Sequence, residues 1–445
     1  MANFDLLIRN GTAITPNGTE QTDIAVIDGR IAAIGGVSQA DAATTIDAKG
    51  LCVLPGIIDT QVHFREPGLE HKEDFESGTR AAVAGGVTGV FDMPNTKPAI
   101  TDAEAYTKKL RGIRDRAWCD YGLYVGATAE NAEALAELEL MPACCGVKLF
   151  MGSSTGDLLV SDEQNLRNVL FGGRRRMAVH CEDETRLRDR RTIAEESGGD
   201  VAQHPVWRDE QTAFRATSTI IRLARLFGRR LHILHVTTVQ EMDFLDGHKD
   251  IVTVEVTPQH LTLAAPDCYT ELGTQAQMNP PIRDAAHRER LWRAVREGVV
   301  DIIGSDHAPH TLAEKAQEYP ASPSGMPGVQ TLVPIMLNHV NSGRLTLERM
   351  VGLLSTNPAR IFSIVRKGQI ALGYDGDFTI VDLHAERTIT QDWLLSKCGW
   401  SPFVDKKVTG WPVATVIRGK VVMLQGELLG GPAGEHMHFQ EALSV

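Results

Sequence analysis

Three histidines, an aspartate and a lysine occupy corresponding places in apolar runs of the chain. His63 follows the run at 51–58 in PGIIDTQVHFREPG, His180 ends MAVH, His235 ends LHILH, and Asp306 ends VVDIIGSD. His and Asp are common ligands of zinc and similar ions. A lone histidine at such a place is more often a hydrogen-bonded core residue. Repetition at equivalent strand ends favours a mononuclear or dinuclear metal site. Lys148, in Val147-Lys148-Leu149-Phe150, is the sharpest residue. Burying an ammonium is costly and lowers lysine's pKa. Either Lys148 pairs with a carboxylate such as Asp306, or its neutral amine adds carbon dioxide and becomes a carbamate able to bridge two metal ions.

A second group of residues suits an anionic ring. Period-2 alternation places Gln61, His63 and Arg65 on one strand face. Arg65 offers a planar fork of donors to a carboxylate, and Asn95 and His310 are placed to join it. The bland alternative for Arg65 is an ion pair with Glu66 or a loop acid. Asn279 and the turn Gly325-Met326-Pro327-Gly328 offer an amide side chain and backbone groups to a cyclic imide. Ser305, His307, His260 and His232 read as structural or supporting residues. His71, His204, His287, His339, His384, His436 and His438 fall on helical or terminal stretches and read as structural. The polar, Pro- and Gly-rich segment 307–330 reads as a lid or a surface excursion.

These residues need a scaffold that brings strand ends together. Strands are expected at 51–64, 88–94, 119–128, 145–151, 176–182, 230–238, 251–259 and 299–306, separated by helical patterns such as DAEAYTKKLRGIRD and AAHRERLWRAVREG. Near-continuous apolar strands alternating with helices imply a parallel sheet. Eight such units point to an α/β fold, a (β/α)8 TIM barrel, whose active site forms at the C-terminal strand ends. Residues 1–54 read as about five short strands with Asn-Gly and Asp-Gly turns. The β texture returns at 366–430, and each piece alone is too short to bury a core. The expected organisation is therefore a composite β-sandwich domain from 1–54 and 366–430, a barrel at 55–365, and a weakly structured tail at 431–445.

Composition narrows the function classes. The 445 residues carry a net charge of −12, which argues against nucleic-acid binding. No apolar run is long enough for a membrane span, and the N-terminus lacks a signal-peptide pattern. Seven scattered cysteines, none in a C-x-x-C pair, argue against a disulfide framework and for a reducing, cytoplasmic setting.

Taken together, PGIIDTQVHFREPG, FDMPNTKPA, VKLFM, AVHCEDE, LHILHVTT, MNPPIR and SDHAPH closely resemble the amidohydrolase superfamily. HFREPG with MPNT resembles the dihydroorotases, in the cyclic-amidohydrolase branch that also holds allantoinases and hydantoinases. The likeness runs from about residue 5 to about residue 425. It implies two zinc ions and an N6-carboxylated Lys148. One metal would be held by Gln61, His63, Lys148 and Asp306, the other by Lys148, His180 and His235. Arg65, Asn95 and His310 would bind the substrate carboxylate, Asn279 and the backbone at Pro327-Gly328 would contact the ring amide, and Asp306 would shuttle the proton. The implied activity interconverts dihydroorotate and N-carbamoyl-L-aspartate in pyrimidine biosynthesis. A homodimer and an association with aspartate transcarbamoylase are family expectations.

Two positions depart from the family pattern. Gln61 stands where His-x-His is usual, and Gln259 where Pro-His-His is usual. An amide oxygen is a poorer zinc ligand than imidazole, so the expectation is a firm metal at His180/His235 and a weaker site at Gln61/His63. Besides the active enzyme, two readings follow: a non-catalytic dihydroorotase-like subunit supporting aspartate transcarbamoylase, and an allantoinase or hydantoinase. The survival of the other site residues weighs against the first, and Arg65 against the second.

Overall fold

The computed structural model describes residues 4–37, 40–153 and 158–440. Eight parallel strands form the barrel: Ile57–Val62, Val87–Asp92, Asp120–Gly126, Cys144–Phe150, Met177–His180, Leu231–Ile233, Val252–Val256 and Ile302–Ile303. Each pairs with the next in chain order. The ring closes where the first and last strands meet at their C-terminal ends: His63 N donates to His307 O at 2.8 Å, and His307 N donates to Gln61 O at 3.3 Å. Closure leaves no free edge and brings all eight strand ends to one mouth.

Most strands are buried on both faces, which accounts for their apolar continuity. Short loops at the mouth end in helix caps. Asp183, three residues after His180, accepts from Arg186 N, and Thr238, three residues after His235, accepts from Glu241 N. Each cap satisfies an orphan amide of the following helix and limits how far the preceding histidine can stray.

The chain termini build a nine-stranded mixed sheet. Phe4–Thr15 runs antiparallel to Gly18–Ile27 and parallel to Ala42–Asp47 and Cys52–Pro55. Phe378–Thr388 then pairs with Cys52–Pro55, joining the two ends of the chain. One core holds Leu6, Ile24 and Val26 from the N-terminal strands with Phe378, Ile380 and Val416 from the C-terminal ones. Neither set could bury that core alone.

The single strand expected at 51–64 is two strands in two sheets. Cys52–Pro55 belongs to the terminal sheet and Ile57–Val62 opens the barrel. Gly56 is the joint. Its N–H donates to Asp377 O at 2.9 Å, and a Cβ there would lie 2.3 Å from Thr88 Oγ1 and 2.8 Å from Asp377 Cβ. Hydrophobicity is continuous across the joint, so the sequence pattern conceals it.

The tail also departs from expectation. Residues 435–440 strap across the N-terminal end of the barrel, with Tyr121 N donating to Glu435 O and Met437 N to Tyr121 O. Met437 is buried against Gly89, and Phe439 stacks edge-on against Phe91 with centroids 5.6 Å apart. Residues 441–445 lie outside the described residues. No helix among the described residues is long and apolar enough to cross a membrane.

Replacing Gly56 by Ala forces Thr88 and Asp377 to shift at the only covalent step from the N-terminal strands into the barrel. Overpacking of this kind costs about 1–3 kcal/mol. Thermal denaturation of Gly56→Ala should show a Tm several degrees below the parent, and an unchanged Tm would contradict the steric argument.

Candidate active site

The barrel mouth holds a small pocket lined by Gln61, His63, Arg65, Asn95, Lys148, His180, His235, Asn279 and Asp306, among others. Nine of the twelve positions singled out from sequence therefore line one cavity. His310 reaches it through Arg65, whose Nη2 lies 3.3 Å from His310 Nε2. Pro327 and Gly328 do not line it: they border a neighbouring cavity with His307, Gln330 and Trp400, and Gly328 N already donates to His307 Nδ1 at 3.1 Å. The backbone facing the pocket is instead that of Ser324 and Gly325.

Ligand-type side chains form two groups in this pocket. On one side Asp306 Oδ1 accepts from Gln61 Nε2 at 2.9 Å and lies 3.1 Å from His63 Nε2. His63 Nδ1 lies 2.7 Å from Asn95 Oδ1. On the other side His180 Nδ1 and His235 Nε2 converge to 3.1 Å. Burial holds all three imidazoles below the usual histidine pKa, against the pull of Asp306 on His63 and of Glu182 on His180. Neutral imidazole is the metal-binding form.

Lys148 sits two residues below the rim, in register with Ala178 on the next strand. It is fully buried, its Nζ lies 4.3 Å from the centre of the Phe150 ring, and it makes no ion pair among the described residues. Burial lowers its pKa to about 7, with Asp306 and Glu255 opposing from a distance. The bland reading, a direct Lys148–Asp306 ion pair, is not what the geometry shows.

Backbone conformation marks the same residues. Arg65, His235 and Asp306 have φ of 58°, 38° and 45°, in the left-handed region. Non-glycine residues are held there only when their surroundings over-determine them, and such positions cluster at functional sites. The alternation that places Gln61 and His63 on one face has ended before Arg65; its turned backbone, not strand pleat, brings the guanidinium to the pocket.

Supporting residues explain the orientation. Glu182, two residues past His180, accepts from His180 Nε2 at 2.8 Å and is gripped by the Arg208 guanidinium. Burial opposes the charge on Glu182, but Arg208 and His180 together hold its pKa well below the usual carboxylate range. An ionised Glu182 keeps the proton on His180 Nε2 and turns the Nδ1 lone pair toward the pocket. His204, which sequence position alone marks as structural, is fully buried with Nε2 3.0 Å from both Met278 O and Asn279 Oδ1. Its imidazole N–H holds the Asn279 carbonyl and leaves the amide NH₂ for the pocket. Gln259 Nε2 donates to Ser305 O at 2.8 Å, behind Asp306, a supporting role in keeping with its expected one.

Segment 307–330 is a packed wall of this pocket. Ala308 N donates to Met326 O, Lys315 is buried with Nζ donating to Pro323 O at 2.8 Å, and Tyr319 is 2% exposed.

The donor set suits a divalent cation. Gln61 Oε1 and His235 Nδ1 are buried without a hydrogen-bond partner, the imidazoles are neutral, and Asp306 supplies a carboxylate. Among the described residues no three His, Cys, Asp or Glu side chains form a closed cage. Lys148 lines the same pocket as these side chains.

The family profile of amidohydrolases matches residues 52–422. The chain belongs to the amidohydrolase family. A dihydroorotase from Methanothermobacter thermautotrophicus is 36% identical over 416 residues, covering 92% of both chains. An allantoinase from Deinococcus radiodurans is 33% identical over 445 residues, covering 97% of this chain and 98% of that one. The solved L-hydantoinase (dihydropyrimidinase) from Arthrobacter aurescens superposes with a TM-score of 0.92 at 30% identity, over 98% of this chain and 99% of that one. Amidohydrolases generally use a metal ion, in keeping with the donors at this mouth.

Second-sphere carboxylates on metal-binding histidines typically contribute 10- to 100-fold in affinity. Glu182→Gln should therefore weaken zinc binding by about 10- to 100-fold in competition against a chromophoric chelator. Unchanged affinity would show that Glu182 does not orient His180 for a metal.

Proposed function

We propose that this amidohydrolase is a dihydroorotase, opening dihydroorotate to N-carbamoyl-L-aspartate and closing it again, the latter being the biosynthetic direction for pyrimidines. The observation that carries this reading is Arg65. Its guanidinium lines the pocket, is 1% exposed, and makes no ion pair among the described residues. Nε donates to Pro309 O at 3.1 Å, while Nη1 is buried with no partner. Burial lowers its pKa to about 10, so it stays charged at neutral pH. A buried cation with unused donors calls for an anionic ligand. Dihydroorotate carries a ring carboxylate; allantoin and simple hydantoins do not.

His63, Gln61 and Asp306 would hold metal on one side and His180 and His235 on the other, with a carboxylated Lys148 shared between them. A divalent ion such as zinc supplies Lewis acidity to the amide carbonyl and the attacking water. The chain's own groups do the rest. Arg65, Asn95 and His310 bind the substrate carboxylate and fix the ring. The Asn279 amide, turned by His204, donates to the ring. Asp306 takes a proton from the water as its oxygen adds to the amide carbon, and returns it to the ring nitrogen as the C–N bond breaks. Gln61 and His63, both at Asp306 Oδ1, hold that carboxylate in place.

The intact constellation also supports an enzyme over a non-catalytic subunit: apart from Gln61, each ligand-type residue is present and buried at the mouth. Zinc-loaded protein should turn over dihydroorotate and leave allantoin and hydantoin untouched. Arg65→Ala should lower kcat/KM for dihydroorotate by about 100-fold, chiefly through KM, as expected for losing a charged hydrogen bond worth about 3 kcal/mol. Turnover of allantoin or hydantoin without dihydroorotate would overturn the substrate, and metal-loaded, folded protein inactive on all three would favour the scaffold.

A further inference from the structure

Behind Arg65 and His310 lies a cation with no role in the chemistry above. Lys72 is 8% exposed, and its Nζ lies 2.9 Å from Glu314 Oε1 and 3.0 Å from His310 Nδ1. An ammonium has donors and no acceptor. His310 Nδ1 must therefore accept, and the imidazole proton must sit on Nε2. That nitrogen lies 3.1 Å from Ser324 O, which can only accept, and Ser324 borders the pocket. The same nitrogen lies 3.3 Å from Arg65 Nη2. With its Nε2 proton donated to Ser324 O, His310 cannot accept from Arg65, so the Arg65 Nη2 N–H groups stay unspent for an incoming oxyanion.

The surroundings fix this state. Glu314 stays ionised: burial works against it, but Lys72 and the Thr311 amide hold its pKa at about 2. Trp400 Nε1 donates to His310 O at 2.7 Å and pins the backbone. The ionisable groups facing His310 are Arg65, Lys72, Lys315 and Glu314; burial, then Arg65, Lys72 and Lys315, hold its pKa well below the usual histidine value, though burial brings Lys315 itself to about 7.

We propose that Lys72 is a positioning residue of the anion site: by donating to His310 Nδ1 it fixes the Nε2–H tautomer, so that His310 holds Ser324 O, takes no hydrogen bond from Arg65, and leaves the Arg65 guanidinium to the substrate carboxylate. The identity of that carboxylate rests on the dihydroorotase reading; the tautomer does not.

Two measurements separate the claims. In ¹⁵N-histidine-labelled protein, with the His310 signals assigned by their loss in His310→Gln, Nε2 should show a protonated, pyrrole-type shift and Nδ1 a pyridine-type one. The opposite tautomer, or a doubly protonated ring at neutral pH, overturns the proposal whatever the substrate is. In steady-state kinetics Lys72→Met should raise KM for dihydroorotate by about tenfold with kcat within about threefold, and Lys72→Arg should restore most of it. A loss confined to kcat, or no rescue by Lys72→Arg, overturns the proposal. Inactive parent protein with the expected tautomer would instead overturn the substrate assignment alone.

Discussion

A lysine in the interior of a closed barrel, with no carboxylate in contact, is the constraint on which the rest of the site turns. Lys148 cannot move away, because its strand is hydrogen-bonded on both sides and its neighbours Val147 and Leu149 are fully buried. Burial also brings its pKa to about 7, so a large share of it is neutral amine at neutral pH. A neutral amine at physiological pH is a nucleophile toward carbon dioxide. On the proposed reading, a carbamate at Lys148 would supply the acidic group that His63, Asp306, His180 and His235 otherwise lack for a closed metal cage. The strand creates the chemical problem, and the side chains at the mouth of the barrel are of the types that would solve it.

Around that centre the two functions of the mouth are separated in space and in charge. Neutral imidazoles, one carboxylate and an amide gather where the proposed metal would sit. Basic groups gather where the proposed substrate carboxylate would sit: Arg65, Lys72 and Lys315 face His310, with Glu314 beside them. Gln61 serves both: its NH₂ holds Asp306 while its oxygen is buried without a partner. An amide at this position thus anchors the carboxylate proposed to shuttle the proton, and on the same reading would be the weaker ligand.

Much of this was legible in the sequence, for identifiable reasons. Apolar strands ending in His63, His180, His235 and Asp306 can be read without coordinates because a parallel barrel aligns its strand ends by register. Lys148 was legible because charge inside an apolar run has few explanations. The residues that escaped notice act at a distance in sequence. His204 orients Asn279 from 75 positions away, and Lys72 orients His310 from 238 positions away; neither separation leaves a periodic or local trace. Glu182 is different, because a carboxylate two residues beyond a candidate ligand was a visible signal. The break at Gly56 was hidden by hydrophobic continuity, and the plugging tail by its dependence on long-range packing of Met437 and Phe439.

The most direct test of the account is carbon-13 NMR of the zinc-loaded protein supplied with ¹³C-bicarbonate. A carbamate resonance should appear in the parent and be absent from Lys148→Arg. At equal dissolved carbon dioxide it should form faster at pH 8 than at pH 6, because a lysine with a pKa of about 7 is about one-tenth neutral at the lower pH and about nine-tenths neutral at the higher. A parent that binds zinc and turns over dihydroorotate with no carbamate at Lys148 would contradict the account at its centre.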